Sequence, residues 1–241
     1  MREPMISIVI PAYNEAERLP ASLDRIAAYL QAQEIEAEVI VVDDGSSDGT
    51  ADLVRARMAG WPRLRLASAG RNQGKGAAVR LGMLEATGDY RLFTDADLSV
   101  PIDDLEKLLL PLRKCYGVAI ASRGLRASDV QLRQPWPREM MGKLFNKLVR
   151  IVVLRGIRDT QCGFKAFTAE AALKVFAPLQ TSGFGFDVEV LVRARAAGFK
   201  IAEVPTRWIN SPQTKVRPLL GLKAFLDVLA IPGRVRRHPS R

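Results

Sequence analysis

At 241 residues, 48% hydrophobic and 26% charged, the chain is long and apolar enough for a sizeable α/β core and is not a disordered segment. Its formal charge of +10 is unevenly spread: residues 1–112 hold 12 Lys/Arg against 18 Asp/Glu, a net −6, and residues 113–241 hold 24 against 8, a net +16. No apolar run reaches the roughly 20 residues of a bilayer-spanning helix, and a lone histidine, His238 near the C-terminus, argues against Ser-His and Cys-His hydrolase chemistry.

Met1-Arg2-Glu3-Pro4 leads straight into a strand-like run, with no signal-peptide core. That first strand, Ile6-Ser7-Ile8-Val9-Ile10, ends at Pro11. Helical periodicity then runs from Glu15 to about Gln33 through Leu19, Leu23, Ile26, Ala27 and Leu30. Glu38–Val42 reads as a second strand, followed by a helix from Thr50, a third strand at Leu64–Ala67 and a helix over Lys75–Ala86. Tyr90–Thr94, a helix over Asp103–Arg113, and Gly117–Ser122 complete the alternation. Short buried strands alternating with helices predict an α/β fold with a mostly parallel, doubly wound central sheet flanked by helices.

There is no internal repeat, and Pro135-Trp136-Pro137 marks a loop or domain edge rather than a linker. Residues 1–241 are therefore expected to form a single domain with an acidic half, 1–112, and a basic half, 113–241. Further on, Glu139–Leu154 sets Met140, Met141, Leu144, Phe145, Leu148, Ile151 and Val152 at helical spacing, with Lys143, Lys147 and Arg150 on another face. Leu219–Ile231 is an apolar run followed by Arg234, Arg236, Arg237 and Arg241. Each segment is either a core-facing helix with a solvated basic side or an amphipathic helix on an anionic membrane surface. Cys115 and Cys162 show neither metal spacing nor a disulfide framework, the usage of a reducing, cytoplasmic setting.

In such sheets ligands bind beyond the carboxyl ends of the strands, and the polar clusters fall there. Pro11-Ala12-Tyr13-Asn14-Glu15 follows the first strand, Asp43-Asp44-Gly45-Ser46-Ser47-Asp48-Gly49-Thr50 the second, Asp95-Ala96-Asp97 the fourth and Ser122-Arg123 the fifth. Asp95 and Asp97 would face one side of a strand and repel. At a strand end they become a hard-oxygen site for Mg²⁺ or Mn²⁺, which take one or two carboxylates plus substrate phosphates; a solvated acidic turn is the alternative. Asp43 and Asp44 are open to a similar choice, with Ser46 or Asp48 capping the next helix. No GxGxxG fingerprint follows the first strand, and Gly70-Arg71-Asn72-Gln73-Gly74-Lys75-Gly76 lacks the Walker spacing. That segment still offers backbone N–H groups and the Lys75 cation to a phosphate, or caps the helix after it.

Together, Ser7–Glu15, Val42–Thr50, Arg71–Gly76 and Asp95–Leu98 resemble the family 2 inverting glycosyltransferases of GT-A fold. Arg158-Asp159-Thr160-Gln161-Cys162-Gly163-Phe164-Lys165, Phe186–Leu191, and Trp208 with Thr214-Lys215-Val216 resemble the dolichyl-phosphate sugar transferases. Gln161-Cys162 and the short Trp208-to-Lys215 spacing are similar to the β-glucosyl branch rather than the mannosyl one. The resemblance implies a GT-A sheet with a basic C-terminal acceptor-side region, a UDP-glucose donor and a polyprenyl-phosphate acceptor, with a GDP-mannose enzyme as the nearest alternative. It assigns Pro11, Tyr13, Glu15, Asp43 and Asp44 to base and ribose, Ala96 to the nucleotide, and Asp95 and Asp97 to Mg²⁺ or Mn²⁺. Arg123 and Arg138 go to the acceptor phosphate, and Lys215 to the phosphates of donor or product. Thr214 replaces the family's usual Ser, and Ser99 stands where mannosyl enzymes often carry a metal-binding Gln, leaving the third ligand to water or donor phosphate. Asp187 and Glu189 are either acceptor-side groups or partners of Arg193 or Arg195 one helical turn on. An anionic acceptor, not nucleic acid, is the expected partner of the basic half: aromatics are 7% and no nucleic-acid reader motif appears. The implied location is peripheral, on the cytosolic face of a membrane.

Overall fold

The structure, a computed structural model, describes residues 5–131, 153–183, 185–209 and 220–238. Pro135-Trp136-Pro137, Arg138, residues 139–152 of the first amphipathic segment, and Thr214 and Lys215 lie outside the described residues. The strands are β1 (Ile6–Ala12), β2 (Ala37–Asp43), β3 (Leu64–Ser68), β4 (Tyr90–Phe93), β5 (Val118–Ser122), β6 (Asp129–Gln131), β7 (Lys165–Thr168), β8 (Ile201–Pro205) and β9 (Arg207–Ile209). The helices are α1 (Leu19–Ala32), α2 (Thr50–Met58), α3 (Lys75–Glu85), α4 (Leu105–Leu112), α5 (Ala169–Phe176), α6 (Phe186–Ala196) and α7 (Leu220–Arg237).

Seven strands form one sheet in the order β3-β2-β1-β4-β7-β5-β8. β1 to β4 are parallel to their sheet neighbours among themselves, and β8 is parallel to β5. Among the described strands of this sheet, β7 alone runs antiparallel, between β4 and β5. The expected mostly parallel sheet is there. Strand–helix alternation gives no sign of β7, which comes from the basic half and closes the gap between β4 and β5. β6 and β9 form a separate parallel pair.

Period-two side-chain alternation divides the core. Val9, Ile40, Val42 and Phe93 face the layer of α3, α5, α6 and α7, whereas Ile8, Ile10, Val39, Val41 and Leu92 face the layer of α1 and α4. Strands buried on both faces therefore read as the continuous apolar runs seen in the sequence. Helix α1 buries Leu19, Leu23, Ile26 and Leu30, and α4 buries Leu105, Leu108, Leu109 and Leu112. Helix α1 begins at Leu19, later than its periodicity predicts. Asn14 sits in the left-handed region (φ 55°), the Glu15 N–H donates to Thr50 Oγ1 at 2.9 Å, and Pro20 stands in the first turn, where a missing N–H costs nothing. Residues 15–18 thus stay on the rim as a turn.

Helix α7 turns Val228, Ile231 and Val235 into the core, with Leu229 exposed. This part of the C-terminal segment matches the core-facing alternative. Among the described residues no helix is long and apolar enough to cross a membrane.

Below the rim, Phe93, Phe167, Phe176 and Phe186 pack as one aromatic cluster, with ring centroids 5.2–6.3 Å apart in the contacting pairs. Phe176 is fully buried, and Phe176→Ala is expected to cost about 3–5 kcal/mol. Urea unfolding followed by circular dichroism checks this, with a loss under about 1 kcal/mol contradicting the packing.

Candidate functional site

The sheet changes winding direction at β1, whose neighbours are β2 on one side and β4 on the other. Parallel sheets open a crevice at such a point. The loops after β1, β2 and β3 are stitched together there by side chain to backbone bonds. Ser46 Oγ accepts from the Asn14 N–H at 2.9 Å, and Asn14 Oδ1 accepts from the Ser47 N–H at 2.8 Å. Asp43 Oδ1 accepts from the Ser46 N–H at 3.1 Å. Asp44 accepts from the N–H groups of Gln73 (2.8 Å) and Gly74 (2.9 Å), one on each carboxylate oxygen. Asp43 and Asp44 are both buried, and Asp44 serves as a strut for the 70–76 loop. At Gly45 a Cβ would lie 2.7 Å from the backbone of Arg71 and Asn72, and φ is +76°, so only glycine fits the approach. Asp48 Oδ1 accepts from the Thr50 N–H at 3.1 Å at the start of α2.

Lys75 leads α3 out of that loop, and its ammonium pairs with the Asp95 carboxylate. Burial alone would lower the Lys75 pKa; Asp95 and Asp187 outweigh it and hold the ammonium above the ordinary lysine value. Asp97 Oδ1 accepts from both the N–H (3.1 Å) and Oγ (2.9 Å) of Ser99, and Asp97 Oδ2 lies 3.7 Å from Arg18 Nη1. Arg18 in turn forks onto Glu15, through Nε at 2.7 Å and Nη2 at 2.5 Å. The Ala96 carbonyl accepts from Ser22 Oγ of α1 at 2.7 Å. A Cβ on Gly163 would collide with the Asp95 carboxylate, so the bare backbone there makes the room that carboxylate occupies. Among the described residues no group of three His, Cys, Asp or Glu forms a metal cage. Two hard-oxygen carboxylates on one rim, held beside cations, are a donor set that fits Mg²⁺ or Mn²⁺ completed by phosphate oxygens.

On the far side of β4, Arg123 forks onto Asp159 through Nε (2.6 Å) and Nη2 (3.0 Å), and its backbone N–H donates to the same carboxylate at 3.0 Å. The guanidinium carbon is 5.4 Å from the Trp208 ring centre. Burial disfavours both charges, yet the pair wins: Asp159 is held below the usual carboxylate range and Arg123 above its ordinary value. The turn that carries Asp159 is anchored from β8, where Glu203 accepts from the N–H groups of Arg158 and Asp159 at 2.9–3.0 Å. Glu189 pairs with Arg193 one turn on, both fully buried, as the ion-pair alternative had it. Asp187 instead takes the buried Lys165 of β7.

Glu15, Asp43, Asp44, Lys75, Asp95, Ala96 and Asp97 are thus tied into one rim, with Pro11 at the end of β1 and Tyr13 exposed beside it. Arg123 sits after β5 in its own ion pair. Sequence reasoning misses Arg18, because an acid–base pair three residues apart looks like an ordinary solvated helix turn. It gives Asp159 no role, although Asp159 lies in a segment carrying the resemblance.

The family model described as glycosyl transferase family 2 matches residues 7–176. A dolichyl-phosphate β-glucosyltransferase of Trichomonas vaginalis is 36% identical over 236 residues, 93% of this chain and 70% of that protein. One from Drosophila melanogaster is 37% identical over 226 residues, 88% of this chain and 69% of its own length. In fold, the chain is similar to glucosyl-3-phosphoglycerate synthase from Mycobacterium tuberculosis, crystallised with Mn²⁺, UDP and glucosyl-3-phosphoglycerate. The TM-score is 0.71 at 22% identity, covering 96% of this chain and 80% of that one.

The surroundings of Cys162 and Asp159 can be read out in solution. Cys162 is buried and its thiol is pushed up to about 12 by burial and by Asp159, whereas Cys115 is exposed. The native protein at mildly alkaline pH should therefore release thionitrobenzoate from a disulfide reagent at Cys115 alone, and at both cysteines after denaturation. Because the folded-state pKa of Asp159 is depressed, its stabilisation is present above the unfolded aspartate value of about 3.9 and is lost as pH falls through the folded one. Asp159→Asn is expected to cost roughly 2–3 kcal/mol at neutral pH, discounted for the partly exposed Arg123. It should also flatten the fall in melting temperature below about pH 4, and an unchanged profile would contradict the assignment.

Proposed function

The chain belongs to glycosyl transferase family 2, and on that premise we propose that it moves glucose from UDP-glucose to a polyprenyl (dolichyl-type) phosphate, inverting the anomeric centre. The observation that carries this reading is the 36% identity to a dolichyl-phosphate β-glucosyltransferase across 93% of the chain.

The chemistry of the rim supports it. A nucleoside diphosphate leaving group gathers negative charge as the glycosidic bond breaks, and fixed positive charge lowers that barrier most. Asp95 and Asp97 would hold Mg²⁺ or Mn²⁺, which supplies Lewis-acid stabilisation of the leaving diphosphate. Lys75, at the start of α3 directly after the loop braced by Asp44, offers a further cation to the phosphates, and Lys215 is assigned there too. Pro11, Tyr13, Glu15, Asp43 and Asp44 form the base and ribose side, with Ala96 backing the nucleotide. On the acceptor side, the fork to Asp159 occupies Nε and Nη2 of Arg123 and fixes the plane of the guanidinium. Arg123 and Arg138 would orient the acceptor phosphate by charge-assisted hydrogen bonds. An ionised phosphate oxygen is already nucleophilic, so a strong general base is not required.

The net +16 of residues 113–241 favours an anionic lipid surface as the place where the acceptor is met. The enzyme then works as one domain, peripheral on the cytosolic face of a membrane.

With Mg²⁺ or Mn²⁺ and a polyprenyl phosphate in detergent, purified protein is expected to release UDP from UDP-glucose and form a glucosylated lipid phosphate. Product made from GDP-mannose but not from UDP-glucose would overturn the donor assignment. Asp97→Asn should lower turnover by at least about 10²-fold with the fold intact by circular dichroism; an unaffected rate would sink the metal assignment.

A further inference from the structure

Each carboxylate of the Asp95/Asp97 pair has a resident cation. The Lys75 ammonium is in contact with Asp95, and Arg18 Nη1 is 3.7 Å from Asp97 Oδ2. The two cations arrive from different directions. Lys75 comes from the first turn of α3 and is also drawn by Asp187, which pairs with Lys165. Arg18 comes from the turn before α1 and is held in a fork by Glu15. None of the four side chains is sealed off: Lys75, Asp97 and Arg18 are 20–21% exposed and Asp95 36%. A solute ion can therefore reach the carboxylates, and long lysine and arginine stems can swing to a new partner.

From this arrangement we propose that Lys75 and Arg18 act as stand-in cations in the donor-free protein. They hold the two carboxylates until a divalent ion arrives with a diphosphate, and then transfer to the phosphates. The inference rests on the donor-site reading above and adds an order to it. A divalent ion that comes alone must displace two positive charges and remain beside them, which is unfavourable at a few ångströms. An ion that comes with a nucleoside diphosphate brings the anionic oxygens those cations need. Metal and nucleotide then strengthen each other's binding, and by linkage the coupling is reciprocal.

Mn²⁺ binding, read as loss of the free-ion signal in electron paramagnetic resonance, tests this with and without UDP and needs no turnover. The wild type should bind Mn²⁺ at least about tenfold more tightly with UDP than without, within the usual range of site-to-site coupling. Lys75→Met and Arg18→Met should each bind Mn²⁺ alone more tightly than the wild type, by about fivefold or more, and show a UDP effect reduced by about the same factor, with the remainder supplied by the phosphate oxygens that complete the coordination. Lys75→Arg, which keeps the charge, should retain the wild-type coupling. A cation with a merely structural role predicts the opposite sign, because its loss would loosen the carboxylates and weaken metal binding. If Lys75→Met does not fold, Arg18→Met carries the same prediction at the other carboxylate. Nucleotide-free affinity that is unchanged or weaker in the folded variants overturns this inference alone. A wild type that binds no Mn²⁺ even with UDP overturns the donor-site reading and the inference with it.

Discussion

A parallel sheet delivers its loops to one edge, and in this protein those loops are acidic. Glu15, Asp43, Asp44, Asp95 and Asp97 lie at or just beyond the ends of three strands that lie side by side, β2, β1 and β4. Negative charge gathered on one edge has to be met by donors or cations. The fold meets it with a different device for each group. Asp44 is met by two backbone N–H groups, Asp43 by the Ser46 N–H, Asp95 by Lys75, Asp97 by Ser99 and Arg18, and Glu15 by Arg18. The rim is a balanced array before any ligand is considered, and its balance sets which ligands it accepts.

The same electrostatics ties the acidic and basic halves together. Lys165, Asp187 and Thr181 belong to the basic half, yet they lie directly beneath or beside the acidic rim. Gly76 donates its N–H to the Ser182 carbonyl at 2.7 Å, and a Cβ on Gly74 or Gly76 would strike the backbone of residues 181–182. That backbone is pinned by Glu189, which accepts from the N–H groups of Gln180 (3.1 Å) and Thr181 (2.9 Å) and is itself held by Arg193. Despite its burial, Glu189 stays below the usual carboxylate range because of the Thr181 hydroxyl and Arg193. A loop in the first half is thus shaped by an ion pair in the second.

What is legible in the sequence depends on which signals are local. The strands β1 to β5 and helices α1 to α4 announce themselves because apolar period and polar punctuation coincide within each segment. The carboxyl-end clusters are legible for the same reason, since their place on the rim follows from the strand before them. The start of α1 is not, because the left-handed Asn14 and the Glu15 to Thr50 bond depend on a loop 35 residues away. Arg18 and Asp159 escape notice because their meaning lies in partners brought together by the sheet, Asp97 for one and Arg123 for the other. β7 escapes because four residues, Lys-Ala-Phe-Thr, carry too little pattern to reveal an antiparallel strand.

The insertion of β7 has a consequence for how the chain is made. β1 to β4 can pair with one another early in synthesis, since all four lie between Ile6 and Phe93. Among the described residues, the outer edge of β4, Tyr90–Phe93, pairs with the much later Lys165–Thr168. Before that segment emerges a nascent chain exposes an unpaired, apolar strand edge, the kind of template that recruits other chains. Any fragment ending before Lys165 carries the same open edge permanently, so the first half of this protein is a poor candidate for life as a separate module.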